Sequence, residues 1–396
     1  MKKSVAIIGG GPAALLLAAF LDSEKFEITI YEKNKSLARK FLVAGNGGFN
    51  LSHGESIAEM LSRYSPTTFL NAALLGFDNT DLRNYLDSID IPTFVGSSNR
   101  IYPDKGIKPI AVLRAILKAL STNNCRVVHQ EKWNGWTSSG ALQFESGLEV
   151  KSDFTVFSMG AASWKKTGSV GDWLSLFTDK EIATKPFEVS NCAFEVAWSK
   201  PFVEKCEGRP LKNITISCGG KTQKGEAVIT QFGLEGNAIY GLSPEIRQQL
   251  KSTGSAIISI DLKPSLSIDK ILSKLKKSTA KNPSLKLKND LKLSATQLDL
   301  FKSTVSREAF LDLDKSAKVI KKLKLTVYSA APLDEGISCV GGISLNEVCS
   351  SFELKKMPKH FCIGEMLDWD APTGGYLLQA CFSMGVLVAR VLNSKE

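Results

Sequence analysis

The chain has 396 residues, of which 43% are hydrophobic and 23% charged, with a formal net charge of +10. That length allows two or three domains, and the balance is globular rather than disordered. No run of about 18 apolar residues is present, which argues against a membrane-spanning helix; the positive balance favours anionic partners but says nothing of fold.

The first element is "VAIIGGGPAALLLA", residues 5–18. A basic start before an apolar body resembles a secretion signal, but Gly9, Gly10, Gly11 and Pro12 would break its helix, and no cleavage site precedes the next strand. Val5–Ile8 instead reads as a short buried strand, with Gly9, Gly11 and Ala14 in a G-x-G-x-x-A turn and a Pro-started helix after it. "FEITIYEK" (26–33) alternates as a second strand ending in Glu32, 23 residues after Gly9. Each position has a physical task in dinucleotide binding. Gly9 permits the turn, Gly11 lets the backbone approach a pyrophosphate, and Ala14 lets helix and strand pack closely. The helix N-terminus offers free N–H groups to phosphate. Glu32 can accept from both ribose hydroxyls and would repel a 2′-phosphate, which suits FAD or NAD. Pro12 and Ala13 in the same turn, and Lys33 directly after Glu32, are further candidates for cofactor binding.

"KFLVAGNGGFNLSH" (40–53) is a second glycine loop, with Gly45, Gly47 and Gly48 for close backbone approach and Lys40 as a nearby cation. "DFTVFSMGAASW" (153–164) reads as a buried strand running into small residues, Gly160 among them.

The pattern changes after residue 188. Short alternating runs at 192–198, 212–218, 226–232 and 255–262 read as strands of a β-rich unit. Residues 263–324 read as helical and lysine-rich, and carry much of the positive excess. Acidic residues are interspersed and stacking aromatics are sparse, so a solvated helical face is preferred over a nucleic-acid surface. The chain then returns to the β unit over 325–336.

"HFCIGEMLDWDAPTGGYLLQACFSMGVLVARVL" (360–392) reads as strand, polar loop and long helix. The strand runs into Gly364 and Glu365; Gly374 and Gly375 precede a helix starting near Tyr376. That helix start can face the electron-rich edge of a reduced flavin.

Taken with "NRIYPDKG", "MGAASWKKTGSVGDW", "ITQFGLEGNAIYGLS" and "VGGIS", these segments resemble the YhiN/BaiN-like family of FAD-dependent oxidoreductases, in order and over nearly the whole chain. The resemblance implies an α/β fold: a Rossmann-like FAD-binding domain (1–188 and 339–396) interrupted by an insert. The insert comprises a β-rich unit (189–262 and 325–338) and a small helical unit (263–324). It implies non-covalent FAD held by Gly9, Gly11, Ala14 and Glu32, by Lys40, Gly45, Asn46, Gly47, Gly48 and Asn50, and by Gly342, Gly364, Glu365, Asp368, Gly374, Gly375, Tyr376 and Leu377. Glu365 would bond the ribityl chain. One departure stands out: many members carry Arg-Cys-Asn where this chain has Gly48-Phe49-Asn50.

The expected activity is hydride transfer through flavin N5 to or from a small organic substrate, with NAD(P)H admitted as a transient reductant. A flavin amine or alcohol oxidase and an FAD-bound RNA-interacting protein remain as alternatives. No second dinucleotide fingerprint is evident, and no metal site. Catalytic candidates are His53, Tyr240, Tyr376 and Cys339, with Tyr102 a further proton donor; His129 and His360 are the other histidines. The eight cysteines include no C-x-x-C pair and suggest a reducing, cytoplasmic setting.

Overall fold

The computed structural model describes residues 1–43 and 49–395. The chain divides into two compact units, Met1–Glu188 with Ser338–Glu396, and Val189–Ile337.

The first unit is built on a five-stranded parallel sheet in the order His360–Cys362, Phe154–Phe157, Lys3–Ile8, Phe26–Glu32, Arg126–His129. Its central strands are apolar runs because both faces are covered: Trp133 and Trp136 of a small antiparallel sheet pack on Phe157, and Phe144 of the same sheet packs on Tyr31. Val5–Ile8 and Phe154–Phe157 are buried throughout. The order puts strands from both ends of the sequence side by side: Ile8 pairs with Phe157 and Phe157 with Cys362.

Helix Pro12–Phe20 follows the first strand and lies against helix Tyr376–Asn393. Gly385 makes this packing possible, since a Cβ there would stand 2.3 Å from the Ala13 carbonyl. Tyr376–Asn393 is the one helix, among the described residues, long and apolar enough to cross a membrane, and 67% of it is buried inside the unit. Its hydrophobicity is that of a core helix. A small antiparallel sheet in the order Ser52–His53, Arg100–Pro103, Thr93–Val95 lies in the same unit.

The second unit carries a six-stranded antiparallel sheet: Phe194–Glu195, Gly233–Glu235, Lys221–Ile229, Pro210–Cys218, Ala256–Asp261, Leu323–Val327. The strand expected at 226–232 begins earlier. It pairs with its predecessor across Gly219–Gly220, both at positive φ, in a two-residue hairpin. Five helices lie between 268 and 321, and Ser267, Asn282, Ser294, Ser306 and Asp312 each accept a backbone N–H at a helix start. Sheet and helices share one core: Ile258 and Ile260 cluster with Ile271, Leu275, Leu300, Phe301 and Ile320. The β-rich and helical parts of the insert are one compact unit.

Candidate functional site

Four parallel strands of the first unit end at one place, and the residues just beyond them line a cavity of about 340 Å³. Gly9–Ala13 follow the first strand, Lys33 and Asn34 the second, Ser158–Gly160 the strand Phe154–Phe157, and Ile363–Glu365 the strand His360–Cys362. Ligand crevices form at the carboxyl ends of such sheets because the chain leaves in different directions there.

The three glycines of the first turn are needed for different reasons. Gly9 has φ +95, and a Cβ on it would lie 2.5 Å from the Ser158 carbonyl oxygen. A Cβ on Gly10 would collide with Leu37, at 2.1 Å. Gly11 is extended, and the nearest protein atom to a Cβ there is Ser158 O at 3.9 Å. The backbone therefore demands glycine at 9, a side chain at 10 would have to displace Leu37, and at 11 glycine leaves space on the cavity side. Gly11 caps helix Pro12–Phe20 without a side chain, and the first turn holds no acidic residue, so the helix start is available to an anion. Ala14 is buried behind the turn rather than lining the cavity.

Glu32, 8% exposed, is committed in part to the protein. Its Oε2 accepts the Gly10 N–H at 2.8 Å, and its Oε1 accepts the Asn34 backbone and side-chain N–H groups at 2.8 and 2.6 Å. An ionised carboxylate has about four acceptor positions. In this arrangement roughly one remains for a ribose hydroxyl, fewer than the two that motif spacing suggests.

Lys40 projects into the cavity from helix Arg39–Val43, donating to Ser163 Oγ at 2.8 Å and to Glu365 Oε2 at 2.9 Å. Burial works against its charge, but the Glu365 carboxylate more than offsets this and holds its pKa above the ordinary lysine value. Cys339 lies behind this pair, its Sγ accepting the Ala162 N–H at 3.2 Å, and Cys381 lines the cavity. Burial pushes both thiols up, which makes them poor nucleophiles at neutral pH. Around the same cavity Lys33 approaches Asp172 at 3.9 Å, and Lys132 bonds Glu145 at 2.8 Å and Asp172 at 3.1 Å. Trp133 also lines it, and its indole N–H is buried without an acceptor among the described residues.

Of the residues singled out from sequence, Gly9, Gly11, Pro12, Ala13, Glu32, Lys33, Lys40, Gly160, Gly364 and Glu365 meet in this cavity. Gly45, Asn46, Gly47 and Gly48 lie outside the described residues. Asn50, Gly342, Asp368, Gly374, Gly375, Tyr376 and Leu377 are not among its lining. At two of these glycines the protein's own packing excludes a side chain: a Cβ would lie 2.3 Å from Met366 O at Gly342, and 2.4 Å from the Ser52 carbonyl carbon at Gly375. Asp368 accepts the Gly341 N–H at 3.0 Å and pairs with Lys185 at 2.6 Å. Residues that sequence reasoning passed over include Asn34, Ser163 and Asp172, whose roles depend on contacts made across the fold.

His53 and Tyr376, nominated separately, come together: their rings stack at 5.0 Å with an interplanar angle of 22°. Burial pushes His53 below the ordinary histidine value, and raises Tyr376. Glu55, 7% exposed, takes a bidentate bond from Arg63, with Nε to Oε1 at 3.1 Å and Nη2 to Oε2 at 2.8 Å. Burial opposes its charge, but Arg63 holds its carboxyl below the usual range. Tyr102 stacks on Phe94 at 5.6 Å, His360 packs on Phe157, and His129 is exposed at a sheet edge. Tyr240 belongs to the second unit, where burial pushes its pKa up to about 12.

A family model described as the HI0933-like protein Rossmann domain matches residues 3–391. The chain is 22% identical over 407 residues to the 3-dehydro-bile acid delta(4,6)-reductase of Clostridium scindens, covering 98% of each chain. It is 22% identical over 396 residues to the ribosomal RNA dihydrouridine synthase of Haemophilus influenzae, covering 95% of each. Among solved structures it is similar to a 3-ketosteroid-delta4-(5alpha)-dehydrogenase from Rhodococcus jostii, with a TM-score of 0.46, 11% identity, and coverage of 98% of this chain and 97% of that one.

Proposed function

The chain belongs to the HI0933-like Rossmann family of FAD-dependent oxidoreductases, and from that premise we propose that it is a reductase acting on a polarised carbon–carbon double bond of a small organic substrate. The observation that carries the cofactor assignment is the gap at Gly11. The backbone there is open to the cavity, at an uncapped helix start, beside an acidic residue that closes the second strand. FAD, when bound, supplies hydride from its N5.

The chain's own residues would do the rest. The N–H groups at the start of helix Pro12–Phe20 would take the pyrophosphate. Glu32 would accept from the adenosine ribose, and its charge would disfavour a 2′-phosphate. Lys40 and Glu365 fix one another across the cavity and would offer a cation and an acceptor to the ribityl end. Support for reduction over oxidation comes from the relatives: one is named a reductase and the other a dihydrouridine synthase, dihydrouridine being a nucleoside with a reduced pyrimidine ring. NAD(P)H would dock transiently as the reductant. The eight cysteines, all free, suit a reducing cytoplasm.

The test is anaerobic. Purified protein should be yellow and release FAD on heating; NADH or NADPH should bleach it, and an enone should restore the colour. Rapid reoxidation by oxygen with stoichiometric peroxide, and none by enones, would replace this reading with the oxidase.

A second reading has one specific observation behind it. Residues 263–324 contain sixteen Lys or Arg against six Asp or Glu, a net +10 equal to that of the whole chain, so the remaining residues balance at 34 against 34. Such segregation fits a substrate carried on RNA. Retention of structured RNA that weakens steeply with salt would favour it.

A further inference from the structure

A second group of polar side chains lies outside the nucleotide cavity, at the first turn of helix Tyr376–Asn393. Strand Ser52–His53 pairs with strand Arg100–Pro103 so that His53 stands opposite Arg100. The His53 ring stacks on Tyr376. A Cβ placed on Gly374 would lie 3.4 Å from the Tyr376 ring and 3.5 Å from Arg100 Nε, so phenol and guanidinium flank one point of backbone. The frame is held firmly: Asn79 Nδ2 donates to the carbonyls of His53 and Glu55 at 2.6 and 3.0 Å, and the Tyr64 hydroxyl donates to Tyr376 O at 2.9 Å.

Donors exceed acceptors in this group. Glu55, its one buried carboxylate, is taken up by Arg63 and the Tyr376 hydroxyl, with His53 Nδ1 at 3.7 Å from its Oε2. Arg100 is half-buried, yet no acceptor receives its guanidinium N–H groups among the described residues. His53 Nδ1 accepts the Glu55 N–H at 3.3 Å, which places the proton of the neutral ring on Nε2, and that donor also lacks an acceptor among the described residues. A guanidinium is a planar fork of five N–H donors whose natural complement is a carboxylate.

We propose that Arg100, with His53 beside it, is an anion-binding subsite that holds a carboxylate of the organic substrate against the first turn of helix Tyr376–Asn393. The role of that ligand as substrate rests on the reductase reading; the binding itself does not.

The experiment is ligand-detected NMR on the full-length protein with trans-cinnamate and its neutral amide, trans-cinnamamide, as probes. Cinnamate should bind at least roughly tenfold more tightly than the amide, and Arg100→Gln should remove roughly that factor. FAD content and melting temperature should not change. Arg100→Lys should retain part of the affinity, because it keeps the charge and loses the fork. If Arg100→Gln fails to fold, the Lys variant and the amide comparison decide the matter. Equal binding of the two probes, no binding of cinnamate, or full affinity in a folded Arg100 variant overturns the proposal. Protein that binds cinnamate through Arg100 but never contains flavin sinks the reductase reading and leaves the subsite standing. Flavin-loaded protein indifferent to the carboxylate does the reverse.

Discussion

Charge is used in opposite ways in the two units. Each of the three lysines lining the cavity at the strand ends has a carboxylate close by: Lys40 has Glu365, Lys132 has Glu145 and Asp172, and Lys33 has Asp172, while Arg39 bonds Asn34 and the Lys166 carbonyl. In residues 263–324 only Lys315 and Lys321, of sixteen basic residues, stand within salt-bridge distance of a carboxylate among the described residues. The cavity is thus nearly neutral and would hold a dinucleotide by shape and backbone N–H groups. The helical segment offers loose, solvated charge. Paired and part-buried groups respond weakly to salt, while exposed like charges respond strongly.

The largest expected effect tests the shape half of that contrast. Gly11→Val should weaken FAD binding by roughly 100-fold or more, because a branched side chain would fill the space left for the pyrophosphate. The FAD-free variant should melt within a few degrees of the FAD-free parent, since almost no protein atom is near that position. Ultrafiltration of the released flavin and a thermal scan check both halves. Undiminished FAD binding would break the assignment of the cavity.

Salt should separate the units next. Lys270, Lys274 and Lys277 share one face of helix Ile268–Lys277. Changing all three to Gln should lower the dependence of log affinity for heparin on log salt by up to about three. FAD retention should stay nearly flat over the same range. Equal salt sensitivity of both would mean that the cavity binds by net charge after all.

How much of this was legible in the sequence follows from distance along the chain. The first turn is a local affair: strand, glycines, helix and Glu32 occupy the first 32 residues, and each states its task in its residue type. The Lys40–Glu365 bond is not local. It joins residues 325 apart, and exists because the strand His360–Cys362 pairs with Phe154–Phe157. Gly342 and Gly375 show the converse limit. Their type suggests close approach of a ligand, and neighbouring backbone by itself already requires glycine at both. A glycine's identity reports crowding, and the sequence does not say whether a cofactor or the protein does the crowding. Gly219–Gly220 was legible in principle, as a two-residue hairpin signal, and was hidden by the polar strand after it.

A smaller effect sharpens the paired half of the contrast. Lys40→Met should cost about 1–2 kcal/mol of stability at pH 7, since it leaves Glu365 facing the cavity alone. Adding Glu365→Gln should recover part of that. The folded pKa of Lys40 lies above its unfolded value near 10.4. The contribution is therefore complete below about 10.4 and is lost as the pH rises through the folded value. Denaturant titrations of parent and variant should converge at strongly alkaline pH.

The smallest effect concerns His53, whose folded pKa lies below its unfolded value near 6.5. The unfolded chain then binds a proton more readily than the native one, so the native state loses stability as the pH falls below about 6.5. His53→Gln removes that penalty. Relative to the variant, the parent should weaken by a few tenths of a kcal/mol to about 1 kcal/mol between pH 7 and pH 5. Glu55 acts in a separate window, because its folded pKa is lowered and its stabilisation is lost only at more acid pH. Measurements at pH 7, 6 and 5 thus isolate the histidine. If the parent gained stability over that interval instead, the imidazole would be charged in the native state, and Glu55 rather than burial and the arginines would govern the cluster at the start of helix Tyr376–Asn393.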